Sequence, residues 1–481
     1  MNVLVYVLDA LRADHLSCYG YERETSPNID RLADEGIVFE QCFTPATWTR
    51  PVAGSILSGS YPPTHGTQTR HDTFHPHVPS LAEQFRTAGF ETVGITTMGN
   101  VSSAVGFDAG FDEFYDLYKD EQVIAERRTS TVSEEELTEE DVEKVALPRA
   151  EDINDIFERW LGERDGDDPF FAFAWSIEPH IPYDPPEGFR EYVASDYDGP
   201  VDGERECLKQ VETAADLNQL KGLYDGEIAY NDACLGELLD HLRDADILDE
   251  TLVVVVGDHG EAFNEHGRLT HGHAPYDELM HVPFVVRAPD GANGFRAQDL
   301  CSLIDMYPTV LEYATDGSVS LENVQGSSLA DALAGTPTDV HDYVFAKTDT
   351  YDMQNTFYGV RSDTWKYIDV ETPDKGGRNL LELVKYVFEK GVLTDILRNP
   401  RYYLNRYRYS ETEFLYNLLE DPEERTNLVE VDPDRHARFE DLLEAWHEDC
   451  VRIREQSAEN RTEVEIDDAT LEQLQQLGYS E

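Results

Sequence analysis

Long apolar runs that stop abruptly on polar or charged residues set the frame of this chain. Residues 3–8 (VLVYVL), 170–176 (FFAFAWS) and 252–256 (LVVVV) carry β-branched, aliphatic and aromatic side chains without polar alternation, the pattern of strands buried on both faces of a parallel sheet. Residues 90–99 (FETVGITTMG) read as a further strand. Over 217–243, Leu220, Leu223, Ile228, Cys234, Leu235, Leu238, Leu239 and Leu242 share one helical face, which predicts a long amphipathic helix. A shorter helix starts at Thr25 or Ser26 with Pro27 in its first turn and Ile29, Leu32 and Ala33 inside. Small residues over 52–57 predict another. From Tyr343 the period changes, and DYVFAKTD, FYGVRSD and WKYIDVE alternate over short runs that suit an antiparallel sheet. The tail from 432 reads as a closing helix followed by a short segment. The predicted fold class is α/β, with a mostly parallel central sheet flanked by helices over 1–340 and a smaller C-terminal α+β module over 341–481.

Chemistry gathers where the apolar runs end. Asp258 and His259 follow 252–256 at once, and Glu261, Glu265, His266, His271 and His273 come shortly after. Asp9 ends the first run in the same way. In an open α/β sheet ligands sit at the carboxyl ends of the strands, so two buried strands that each deliver a carboxylate suggest a metal site assembled across the sheet. Plainer readings are a polar loop capping the later strand and an N-cap role for Asp9. Asp14 and His15 are weaker candidates. Thr49, followed by Arg50 and Pro51, precedes the small-residue helix, where unsatisfied N–H groups and the positive end of the dipole favour an anion; a simple helix cap fits the same position. His180 lies between two prolines with no helical face to join, which marks it as a site residue. Asn100 either lines the pocket or caps a turn.

Charge sharpens the picture. The 481 residues carry a net charge of −60 with 40% hydrophobic residues, which describes a folded protein with an acid-covered surface. Only nine of the 38 basic residues are Lys, and that scarcity beside 98 acidic residues predicts a salt-adapted, haloarchaea-like source in which salt screens self-repulsion. Nucleic-acid binding by the surface is excluded on charge. The six Cys are scattered without a CxxC pair, as reduced thiols of a cytoplasmic protein would be. No charged n-region or cleavage site opens the chain and no apolar run approaches 18 residues, so neither a signal peptide nor a membrane span is expected. Residues 120–150 form a strongly acidic stretch, read as a solvated helical insertion or lid. Residues 375–410 form a basic, aromatic island that packs as an amphipathic helix or makes a peripheral contact with an anionic or lipid-linked glycan.

The motifs, in this order, resemble the sulfatases and their relatives in the alkaline phosphatase superfamily. They are Asp9 with SCYGY, SPNIDRLA, ILSGSYPPTHG, GFDAGFDEFYD, EPHIPYDPP, YDGEIAYNDACLGELLDHL, TLVVVVGDHGE and FLYNLLEDPEERTNL. The resemblance implies an alkaline-phosphatase-like fold and a nucleophile at Thr49, where many members carry a Cys or Ser that becomes formylglycine. Thr cannot be so converted, and the chain looks more like branches with an unmodified Thr, such as the phosphodiesterase-like and lipoteichoic-acid-synthase-like members. Ala10 stands where many sulfatases have a second Asp, so the implied metal ligands are Asp9, Thr49, Asp258 and His259. The implied catalytic residues are Thr49, His180 and His271, the last near the place of a substrate-binding Lys, with Arg50, Asn100 and His273 contacting substrate. Glu261 and His266 are expected to orient His259 or its loop.

One divalent ion is expected, Mn²⁺, Zn²⁺ or Mg²⁺ in preference to Ca²⁺, because the set includes an imidazole and one carboxylate fewer than Ca²⁺ sulfatases have. The expected activity is hydrolysis of phosphodiester, phosphonate or sulfate esters, on small-molecule or glycan substrates. The alternatives are transfer of a sulfo or phospho group to a glycan or lipid-linked sugar, and a non-catalytic binding homologue.

Overall fold

The computed structural model describes residues 1–124, 147–164, 166, 168–319, 321, 323–349, 355–371, 399, 412–456 and 467–477. Most of 120–150, and all of 375–410 except residue 399, lie outside them.

The main sheet has eight strands: β1 (Asn2–Leu8), β2 (Ile37–Phe43), β3 (Glu91–Thr96), β4 (Glu113–Asp116), β5 (Phe170–Ser176), β6 (Thr251–Gly257), β9 (Phe284–Arg287) and β10 (Phe295–Ser302). A small hairpin, β7 (Ala262–Phe263) with β8 (Leu269–Thr270), interrupts the series. The order across the sheet is β10-β2-β9-β6-β1-β5-β3-β4. Of the eight, only β9 runs antiparallel to its neighbours, so the mostly parallel sheet expected from the apolar runs is present.

The continuous apolar pattern has a direct cause. Val3, Val5 and Val7 of β1 enter one core, while Leu4, Tyr6 and Leu8 enter the core on the opposite face. Helix α1 (Pro27–Asp34) and the long helix Ala214–Asp244 cover the second face, and α2 (Thr49–Ser58) covers the first. Register then sets the site. Leu8 pairs with Gly257 on one side and Ser176 on the other, so Asp9, Asp258 and the loop carrying His180 emerge together.

Two predicted boundaries shift. The strand expected over 90–99 ends at Thr96, whose hydroxyl accepts the Met98 N–H at 3.0 Å and turns the chain. The helix expected over 52–57 begins at Thr49, because Pro51 in the first turn needs no N–H partner. Thr49 is therefore the first helical residue, and the capping position belongs to Trp48.

Strands β11 (Val344–Asp349), β12 (Thr356–Arg361), β13 (Trp365–Glu371) and β14 (Glu413–Asn417) form an antiparallel sheet. Helix Pro433–Gln456 packs Phe439, Leu443, Trp446 and Cys450 against it. The helix Asp468–Gln476 then returns to the main sheet, where the Gln473 amide donates to the Thr97 carbonyl at 2.8 Å and Leu474 joins the core.

The acidic excess makes folding sensitive to screening. Raising KCl from about 0.1 M to about 1 M shortens the screening length from about 10 Å to about 3 Å, and the thermal midpoint is expected to rise with it. Calorimetry that finds a flat or falling midpoint contradicts self-repulsion as the limit on stability.

Candidate active site

The ends of β1 and β6 and the start of α2 meet at one buried point. Thr49 Oγ1 lies 3.3 Å from Asp9 Oδ2 and 3.4 Å from His259 Nε2. His259 Nε2 is 3.3 Å from Asp258 Oδ2 and 3.7 Å from Asp9 Oδ1. All four residues are fully buried.

Each carboxylate and the imidazole is aimed by its neighbours. Asp258 Oδ1 accepts the backbone N–H groups of Ala10 at 2.8 Å and His259 at 2.7 Å, while the equally buried Oδ2 accepts no hydrogen bond. Ala10 supplies that N–H from the left-handed region (φ 62°), uncommon for a residue with a Cβ. Its carbonyl is held by Tyr224 Oη at 2.7 Å. Asp9 Oδ2 accepts the Trp175 indole N–H at 3.0 Å. His259 Nδ1 lies 2.8 Å from the Gly260 carbonyl, which can only accept, so the proton is on Nδ1 and the Nε2 lone pair faces the carboxylates. Burial, aided by the charge of His271, keeps the His259 pKa well below its ordinary value and the ring neutral.

This donor set fits a divalent cation. One ligand atom from each of Asp9, Asp258 and His259 lies within 4.8 Å of the others. No Lys or Arg among the described residues pairs with either carboxylate. In the bare protein burial pushes Asp9 up to about 8, against hydrogen bonds from Trp175 and Thr49. Burial, with Asp9 adding repulsion, pushes Asp258 well above its ordinary value. Two buried acids that resist ionisation beside a bare imidazole nitrogen and an orphaned oxygen need an added positive charge.

Three imidazoles line one side. The His271 ring lies 4.4 Å from that of His259 and 4.9 Å from that of His180. His180 Nδ1 lies 2.5 Å from the Ile181 carbonyl, and burial first, then His271, Arg205 and His259, depress its pKa. His271 Nδ1 contacts Glu261 Oε1 at 3.0 Å, and Glu261 Oε2 accepts the Tyr183 hydroxyl at 2.8 Å. Glu261 thus orients His271 and not His259, whose orienting partner is the Gly260 carbonyl. His266 holds the loop and not His259: it contacts Glu278 Oε1 at 2.7 Å and the Glu424 carbonyl at 3.2 Å, near the antiparallel sheet. His273 Nε2 donates to the Thr270 carbonyl at 3.0 Å.

Arg50, in the first turn of α2, is hydrogen-bonded to Asn100. The buried guanidinium donates to the carbonyls of Arg70 (2.5 Å) and Asp72 (3.2 Å) and to Asn100 Oδ1 (3.0 Å). Asn100 sits in the helical turn Gly99–Val101 with its Nδ2 buried and without an acceptor. Sequence reasoning missed Trp175, Tyr183 and Tyr224. Trp175 was hidden inside an apolar run, and its one sign was an indole N–H that a buried strand must satisfy.

A family model described as Sulfatase matches residues 1–316 of the chain. The chain belongs to the sulfatase family. An arylsulfatase of Clostridium perfringens (strain 13 / Type A) is 24% identical over 446 residues, spanning 80% of this chain and 91% of that protein. Iduronate 2-sulfatase of Homo sapiens is 24% identical over 379 residues, 70% of this chain and 68% of that one. The crystal structure of a phosphonate monoester hydrolase of Agrobacterium radiobacter matches with a TM-score of 0.66 at 20% identity, covering 95% and 96% of the two chains, so the two share a fold. Sulfatase-family enzymes are ester hydrolases that bind a divalent metal, and the Asp9, Asp258 and His259 cluster is where this chain can hold one. Among the described residues no helix is long and apolar enough to cross a membrane.

Linkage gives the metal site a test without turnover. Asp9 and Asp258 hold protons more tightly in the fold than in the unfolded chain, so their share of bare-protein stability is lost as pH rises above the ordinary 3.8, for Asp9 through about 8. A cation must displace those protons, so the rise in thermal midpoint on adding Mn²⁺ is expected to be larger at pH 8 than at pH 5 and to vanish in Asp258→Asn. Equal shifts at both pH values, or an unchanged shift in the variant, contradict the assignment.

Proposed function

We propose that this sulfatase-family protein is a metal-dependent ester hydrolase that uses Thr49 as its nucleophile. The observation that carries the reading is the Thr49 hydroxyl placed within 3.3–3.4 Å of both Asp9 and His259 at the start of a buried helix. When bound by Asp9, Asp258 and His259, a divalent cation supplies charge that favours the ionised hydroxyl and draws electron density from the ester oxygens. The mixed carboxylate and imidazole set favours Mn²⁺, Zn²⁺ or Mg²⁺ over Ca²⁺.

The chain's own residues supply the remaining steps. Thr49 Oγ1 attacks the phosphorus or sulfur atom, and Asp9 Oδ2 is the nearest acceptor for its proton. The first turn of α2 offers backbone N–H groups and the positive end of its dipole to the equatorial oxygens. His180, with its Nδ1 proton on the Ile181 carbonyl, and His271, with Nδ1 on Glu261, flank the ester, and the leaving oxygen takes a proton from water, which balances the one Asp9 accepts. His273, Arg50 and Asn100 shape the wall that receives the substrate.

Thr49 also bears on substrate class. A formylglycine hydrate can release sulfate by collapsing to its aldehyde, whereas a Thr ester must be attacked a second time at its central atom. That difference favours phosphodiesters and phosphonate esters over sulfate esters, and one protein that shares the fold is a phosphonate monoester hydrolase. The acidic composition and sparse Lys support a salt-adapted, haloarchaea-like source, and the scattered, unpaired Cys support a cytoplasmic enzyme, with a catalytic unit over 1–340 and an accessory unit over 341–481.

Aryl phosphodiester, aryl phosphonate and aryl sulfate assays at high salt with Mn²⁺ test the reading. Thr49→Ala is expected to lower kcat by about a thousandfold or more while Thr49→Ser keeps measurable turnover. An Ala variant as active as wild type rules Thr49 out as nucleophile, and product formed only with a sugar acceptor present reassigns the enzyme to group transfer.

A further inference from the structure

The segment 265–278 brings His271 to the site, and residues of the C-terminal sheet and the turn after it grip both of its ends. At the first end, the Arg425 guanidinium donates to the Glu265 carbonyl and His266 Nε2 meets the Glu424 carbonyl at 3.2 Å. The His266 ring stacks on Tyr276 with centroids 3.7 Å apart, which ties this end to the other. At the second end, Glu424 Oε2 accepts the Asp277 N–H at 2.8 Å. Lys366 Nζ lies between Asp277 Oδ1 (2.7 Å) and Glu424 Oε1 (2.8 Å). The middle of the segment is tied to the nucleophile's own loop, since the Gly272 N–H donates to the Thr47 carbonyl at 2.7 Å and Thr47 Oγ1 donates to the His273 carbonyl at 2.8 Å.

We propose that Glu424 is a positioning residue of the active site, which sets the frame of 265–278 so that the His271 ring meets the metal-ligating His259. The proposal rests on the hydrolase reading above. Glu424 is 2% exposed and Lys366 1% exposed, and a buried ion pair of this kind commonly adds little stability over apolar residues of similar volume. What it adds is direction, because the carboxylate has one oxygen on a backbone amide and the other on an ammonium. Glu424 also holds φ at 54°, a left-handed conformation that a non-glycine residue keeps only where its surroundings impose it. Neither Glu424 nor Lys366 touches the reacting atoms, so their effect reaches the chemistry only through the segment they hold.

The full-length chain with Glu424→Ala and Glu424→Gln decides the question, because Gln keeps an acceptor for the Asp277 amide. In folded protein, Glu424→Ala is expected to lower kcat by about a hundredfold with KM changed less than about threefold, and Glu424→Gln to recover much of the loss. Hydrogen–deuterium exchange is expected to quicken across 265–278 in Glu424→Ala while 2–9 and 251–258 stay as protected as in wild type. An unchanged kcat in folded Glu424→Ala, or faster exchange confined to 344–456, overturns the proposal and leaves Glu424 as a contact between modules. If wild type turns over none of the esters, the hydrolase reading fails, and the exchange pattern still decides whether Glu424 holds the segment.

Discussion

Everything at this site depends on two carboxylates held side by side, without a Lys or Arg partner among the described residues, at the ends of adjacent parallel strands. Pairing of Leu8 with Gly257 delivers Asp9 and Asp258 to one point, and burial there makes their ionisation unfavourable. The surrounding groups do not relieve this with a basic side chain. Instead Ala10, His259, Trp175 and Gly260 fix one face of each ligand by N–H and carbonyl contacts, which leaves Asp258 Oδ2 and His259 Nε2 turned towards a common centre. Such an arrangement is poor as a bare core and well suited to a cation.

The nucleophile arrives from a different direction. Thr49 opens a helix in which every residue is buried, so its hydroxyl is held by the packing of Val52, Ile56 and Leu57 in the main core as much as by its polar neighbours. The hairpin β7–β8 folds His271 back over His259, and Glu261 with Tyr183 locks that ring. Three parts of the fold thus converge: strand ends for the metal ligands and His180, a helix start for the hydroxyl, and a hairpin for His271. Arg425 reaches the turn of the hairpin, and Lys366 and Glu424 hold Asp277 beyond it.

Much of this could be read before any coordinates, for physical reasons that also explain the gaps. β1, β5 and β6 are covered on both faces, so their sequences are uninterrupted apolar runs, and an acid at the end of such a run stands out. β9 has only four residues, and its antiparallel direction is a tertiary fact that no local pattern encodes. β10 alternates exposed and buried positions at its start and lacks a continuous run. Asp9, Asp258, His259 and Thr49 were candidates on position alone, but what aims them was not visible. The left-handed turn at Ala10 leaves no trace in an alanine, and the pairing of Glu261 with His271 depends on how the hairpin folds. His266 could be read only as orienting His259 or its loop, and its contacts with Glu278 and Glu424, distant in sequence, decide for the loop.

The central claim is that Thr49 and the three ligands share one cation. Anomalous diffraction from crystals grown with Mn²⁺ tests it most directly. The account predicts a single strong peak about 2.0–2.3 Å from an oxygen of Asp9, an oxygen of Asp258 and His259 Nε2, with the Thr49 hydroxyl oxygen within the same range. A peak elsewhere, or one at this cluster with Thr49 turned away and out of reach, contradicts it.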